Sequence, residues 1–126
     1  MVTSHIEDAV TAIQSGYSCA QAIFSAYHED CGLEKETARK IATGLGGGLG
    51  RTGNVCGAVT GAILVLGQRY GMDNLENSVA REKTYALVQK LISEFTDTHG
   101  SINCAELLTC LPEPAEFLTS LPEFSF

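Results

Sequence analysis

Five cysteines are the residues of this 126-residue chain best suited to chemistry, and their positions say more than their number. Cys19 follows Ser18, Cys104 follows Asn103, and Cys56 lies two residues after Asn54. Ser and Asn are preferred at the N-cap of a helix, so the spacing predicts three thiols in the first turns of three different helices. Free N–H groups and the positive end of the helix dipole favour thiolate over thiol there. A dipole contribution of about 0.3–1 kcal/mol lowers a thiol pKa by roughly 0.2–0.7 units. Thiolates attack disulfides and bind metals, so the chemistry to expect is thiol–disulfide exchange or ligation of a metal or cluster. A lone cysteine is more often a small buried hydrophobe. Three at helix starts in one short chain tilt the reading toward chemistry.

Spacing limits how these thiols combine. Cys104 and Cys110 are six residues apart, about 9 Å of rise on an intact helix, so they cannot form a disulfide unless the helix ends between them. No Cys-x-x-Cys pair occurs, which removes the usual zinc-finger and thioredoxin signals. A four-cysteine zinc site would have to be assembled from separate helices. A cluster, or a relay among separated thiols, fits the spacing better. His99 precedes Cys104 by five residues and reads as a surface turn residue, with a ligand role as the alternative; His5 and His28 read as solvated.

The glycines point to the same region. Gly57 and Gly61 lie four apart on one face of an apolar helix, and each interior glycine costs about 1 kcal/mol relative to alanine. A bare face of this kind suits close approach of a second backbone, which would let thiols of neighbouring helices meet at Cys56. The run from Gly44 to Gly50 is too rich in glycine to stay helical cheaply. Gly48-Leu49-Gly50-Arg51-Thr52-Gly53 matches a dinucleotide-binding pattern, with Asp73 at the expected distance, but a helix precedes it where a strand is required. The run reads as a connector, or as a place where backbone and Arg51 approach an anion or a cluster.

The elements that must position these residues are helices. Apolar periodicity predicts helices over about 4–15, 18–31, 34–43, 54–70, 73–98 and a short one from Asn103, with capping boxes at Ser4/Glu7, Ser18/Gln21, Asp73/Glu76 and Asn103/Glu106. Leu75, Val79, Leu87, Val88, Leu91, Ile92 and Phe95 form the predicted apolar face of the fifth. No convincing alternating strand is present. The fold class is all-α: a compact bundle of about five to six helices with a glycine-rich connector. An extended apolar tail, 111–126, carries all three prolines and is expected to pack on the bundle or on a neighbouring chain.

Length and composition bound the function. One domain, 1–126, is expected. The charge sum is −7 with a pI near 4.8 and no Lys/Arg cluster, which argues against nucleic-acid binding. The longest apolar run, Val55 to Gly67, is 13 residues, against about 20 for a membrane span. The N-terminal residues lack a basic, apolar leader, so a cytoplasmic location is expected, where thiols stay reduced.

The stretch Gly16-Tyr17-Ser18-Cys19-Ala20-Gln21-Ala22, the glycine run, Cys56-Gly57-Ala58-Val59-Thr60-Gly61, and then Cys104 and Cys110 together resemble the C_GCAxxG_C_C family. The resemblance covers about Gly16 to Leu111. Its members are described as redox-active proteins with four characteristic cysteines, often encoded near transporter genes, and some are reported as selenoproteins. By position the resemblance implies that the four are Cys19, Cys56, Cys104 and Cys110, with Cys31 outside the pattern. The expected function is thiol–disulfide or electron-transfer chemistry by these four, as cycling thiols or as ligands of an iron–sulfur cluster or other thiolate-bound metal. In the thiol version Cys56 attacks, and Cys19 or Cys104 resolves. A redox partner protein would then be required. The alternative is a non-catalytic metal- or partner-binding module, associated with transport and dimeric through its tail.

Overall fold

The computed structural model describes residues 5–110, with side chains through Leu107. Six α-helices follow in chain order: α1 (Ile6–Gln14), α2 (Cys19–Ala26), α3 (Lys35–Ala42), α4 (Gly57–Tyr70), α5 (Ser78–His99) and α6 (Cys104–Cys110). Among the described residues there is no strand, only an isolated antiparallel bridge between Val55 and Asn103. The all-α bundle with a glycine-rich connector is therefore the fold. The predicted tail and the Ser4 cap lie outside the described residues.

Helix α2 is the centre of the bundle and packs against α1, α3 and α4. Its capping box forms as predicted: Ser18 Oγ accepts from the Gln21 N–H at 3.3 Å, and Gln21 Oε1 accepts from the Ser18 N–H at 3.1 Å. The remaining Gln21 amide hydrogens go to tertiary partners. Nε2 donates to the Arg39 carbonyl and to Thr43 Oγ1, both at 3.2 Å, which ties the start of α2 to the end of α3. Ala20, Ala22, Ile23 and Phe24 then bury against the neighbouring helices.

Helix α4 lies directly on α2, and its glycines explain how closely. A Cβ at Gly57 would stand 2.6 Å from the Ala20 backbone nitrogen and 3.0 Å from Cys19 Cβ. One at Gly61 would stand 2.9 Å from Ile23 Cβ. The bare face predicted from the four-residue spacing is thus occupied by the backbone of α2. Gly67, on the same helix, faces nothing within 4 Å and has no left-handed backbone. Gly67→Ala should therefore stabilise the fold by about 1 kcal/mol, read as a higher urea midpoint at unchanged m-value. A lower midpoint would mean that this turn of α4 is packed more tightly than described.

Two helix starts differ from the sequence expectation, for local reasons. Helix α4 begins at Gly57 rather than near Asn54, because Val55 is held in the bridge to Asn103 and Cys56 becomes the N-cap. Helix α5 begins at Ser78 rather than Asp73. The Asn74 side chain accepts the Glu76 N–H at 2.9 Å and its carbonyl accepts the Asn77 N–H at 3.2 Å, so a side-chain-supported turn displaces the first helical turn. Leu75 and Val79 are consequently 86% and 79% exposed and do not join the apolar face. The rest of that face holds: Leu91 and Phe95 are buried, and Leu87, Val88 and Ile92 pack against the core.

The glycine run is helical after all, but of the opposite hand. After a 3₁₀ turn at Thr43–Leu45, five successive residues from Gly47 to Arg51 have φ between 62° and 73°. The turn is closed by Gly46 O accepting from the N–H groups of Gly50 and Arg51. Left-handed backbone costs an L-residue about 1–2 kcal/mol, which accounts for glycine at 47, 48 and 50 and makes Leu49 and Arg51 the two strained positions.

Candidate functional site

Each cysteine of interest is set in place by a different device. Cys19 is the first residue of α2, fixed by the Ser18/Gln21 box just before it. Cys56 is the N-cap of α4, and its own N–H donates to the Ile102 carbonyl at 2.6 Å. Cys104 opens α6, with its N–H donating to the Asn54 carbonyl at 2.6 Å and the next N–H, of Ala105, to Gly53. These last bonds flank the Val55–Asn103 bridge. Cys56 stands opposite Ile102, and Cys104 is two residues further on, so the bridge brings the two cysteines to neighbouring positions on adjacent segments.

The left-handed turn completes the arrangement. A Cβ on Gly48 would lie 2.7 Å from Cys104 Cβ and 2.7 Å from the Asn54 backbone nitrogen, so Cys104 is seated on a bare glycine. Cys19 Cβ lies against Gly57, the residue after Cys56. Three thiols from three helix starts therefore meet at one end of the bundle and lie close enough to feel one another's charge. Cys56 is buried at 4% exposure, whereas Cys19 and Cys104 are partly exposed.

The electrostatics run against the sequence expectation. Burial pushes the Cys19 thiol up to about 12, and negative charge on Cys56 and Cys104 adds to the rise, against a smaller lowering by its own backbone N–H. Burial also pushes Cys56 up; the N–H groups of Ala58 and Val59 oppose this, and charge on Cys104 reinforces it. Helix-start N–H groups do lower both thiols, as predicted. Removal of the thiolate from water is the larger effect, so Cys19 and Cys56 are shifted up rather than down as expected. Mutual repulsion means the group holds one negative charge far more readily than two.

Cys31 is buried after α2, raised by its burial and by Asp30, with Arg69 opposing, and stands apart from the three. Cys110 belongs to α6, but its side chain lies outside the described residues. Among the described residues no group of three or more His, Cys, Asp and Glu side chains is arranged to hold a metal ion. His99 is not a free surface residue. It ends α5 with its ring 4.6 Å from that of Phe95, and burial lowers its pKa. His5 and His28 are likewise engaged, His5 Nε2 at 2.9 Å from Asp30 and His28 Nδ1 at 2.9 Å from the Leu33 carbonyl. The sequence did not single out Gly48 as the seat of Cys104, nor Gln21 as a tertiary brace. Only the density of glycine before Cys56 hinted at the first.

The fold and the site together define an all-helical protein with a group of thiols gathered at its helix starts. Residues 17–121 match the C_GCAxxG_C_C family, described as "putative redox-active protein", and the chain belongs to that family. No curated protein and no solved structure matches it. Among the described residues no helix is long and apolar enough to cross a membrane.

Proposed function

We propose that this protein is a thiol-based oxidoreductase in which Cys104 attacks a disulfide of a partner and Cys56 resolves the mixed disulfide. The convergence of Cys19, Cys56 and Cys104 carries the reading. Attack needs an accessible sulfur, and Cys104 is partly exposed while Cys56 is buried, so the attacking role passes to Cys104 rather than to Cys56. The Cys104 thiolate displaces one sulfur of the partner disulfide, which leaves as a thiolate and takes up a proton. Cys56 then gives its proton to the second leaving sulfur and bonds to Cys104. The net change is one partner disulfide reduced to two thiols and one protein dithiol oxidised to a disulfide. Cys19 is the third thiol of the group, and Cys110 the fourth of the family set. A reducing compartment such as the cytoplasm would return the protein to its dithiol form, through a second redox partner.

An iron–sulfur cluster takes four thiolates. Exchange needs only two thiols, and three are brought together here. The test is a trapping experiment on protein purified without oxygen. Cys56→Ser should accumulate a mixed disulfide on Cys104 when mixed with oxidised glutathione, and Cys104→Ser should abolish turnover. Turnover retained in Cys104→Ser would overturn the assignment of attack, and stoichiometric iron and sulfide in the native protein would overturn exchange chemistry itself.

A further inference from the structure

A second site lies away from the thiols, in a cleft of about 280 Å³ between α1, α2 and α3. Its chemistry is set by one arginine. Arg39 lays its guanidinium over the Tyr17 ring, 4.4 Å from the centroid, so the ring fixes the plane of the fork and leaves its edge to make hydrogen bonds. Arg39 Nε is removed from solvent and has no hydrogen-bond partner among the described residues. Lys35, one turn earlier on α3, lines the same cleft.

The other walls carry the opposite charge. Asp8 of α1 and Glu29, from the turn after α2, line the cleft beside His5 and His28, and among the described residues neither acid pairs with Lys35 or Arg39; His5 Nδ1 stands 3.6 Å from Asp8. Opposite charges that share a cavity without pairing leave room for a molecule that bears both. The planar fork matches a carboxylate. The two acids disfavour a multiply charged anion such as phosphate and suit an ammonium group. The volume falls just below the 300–1,000 Å³ of typical ligand sites, which admits a small metabolite.

We infer that this cleft binds a small zwitterion of the amino-acid class, its carboxylate on Arg39 and Lys35 and its ammonium toward Asp8 and Glu29. The assignment is independent of the thiol chemistry. Two probes of different span, L-alanine and γ-aminobutyrate, would be titrated into reduced, full-length protein and followed by amide chemical shifts. At least one should shift the amides of Tyr17, His28 and Arg39 saturably, and N-acetyl-L-alanine and inorganic phosphate should bind more weakly. Lys35→Gln, on an exposed side chain, and Arg39→Gln should each weaken binding by about tenfold or more, the loss of one charge-assisted hydrogen bond. If Arg39→Gln fails to fold, Lys35→Gln alone decides. Phosphate binding more tightly than either zwitterion, an affinity unchanged in a folded variant, or no saturable shift would overturn the inference.

Discussion

Gly48→Val will cost about 2–5 kcal/mol of stability and drive Cys104 away from the other two thiols. The backbone at Gly48 has φ +73°, where a side chain costs about 1–2 kcal/mol. A new Cβ would also stand 2.7 Å from the Asn54 nitrogen and 2.9 Å from the Gly53 carbonyl carbon, neither of which can rotate out of the way. Overpacking of this kind adds about 1–3 kcal/mol. The third contact, 2.7 Å to Cys104 Cβ, is the one that gives way most easily, because α6 is short and joined to the rest by the Val55–Asn103 bridge. Urea unfolding measures the first effect. Formation of a Cys56–Cys104 disulfide under mild oxidation, mapped by mass spectrometry, measures the second. A variant with native stability and unimpaired disulfide formation would show that Cys104 does not depend on the turn.

At neutral pH, Cys19 will react with iodoacetamide about a thousandfold more slowly than an ordinary thiol. The thiolate is the reactive form, and a pKa near 12 against 9.0 is three units, or three powers of ten in thiolate fraction. The same shift couples the fold to pH. The folded protein holds the Cys19 proton more tightly than the unfolded chain does. The resulting stabilisation is fully present below pH 9.0, where both states are protonated, and is lost as the pH rises toward about 12. The full loss amounts to roughly 4 kcal/mol. Wild-type protein should therefore lose stability more steeply than Cys19→Ala across that interval, as followed by urea midpoints at successive pH values. Parallel curves, or labelling of Cys19 as fast as free glutathione, would rule out a desolvated thiol at this position.

The elements whose cause is local were legible in the sequence. Ser18 and Gln21 gave the start of α2, and the four-residue spacing of Gly57 and Gly61 gave the close approach of α2 and α4, because each depends on residues a turn apart. The start of α5 departs from its sequence pattern because Asp73 and Glu76 fit a capping box, whereas Asn74 between them offers the backbone a better local bond. Cys56 shifted from the first turn of α4 to its cap for a reason no local pattern holds: Asn54 and Val55 are engaged by residues nearly fifty positions away. The site divides in the same way. That three cysteines would stand at helix starts could be read from their neighbours, but the depth at which each sulfur lies belongs to the assembled bundle. Depth sets the acidity of Cys19 and Cys56 here, so the sign of their shift could not be read.

The bridge between Val55 and Asn103 brings the chain back on itself at the two ends of the α4–α5 hairpin. A covalent bond between Cys56 and Cys104 would close a ring of roughly 50 residues and remove about 4 kcal/mol of chain entropy from the unfolded state. The oxidised form would then be the more durable of the two, harder to unfold and slower to be digested. By the same thermodynamic cycle, whatever the ring lends to the fold, the fold returns to the ring as resistance to reduction. Redox state and lifetime would be one property of this molecule, coupled through two backbone hydrogen bonds at the mouth of a hairpin.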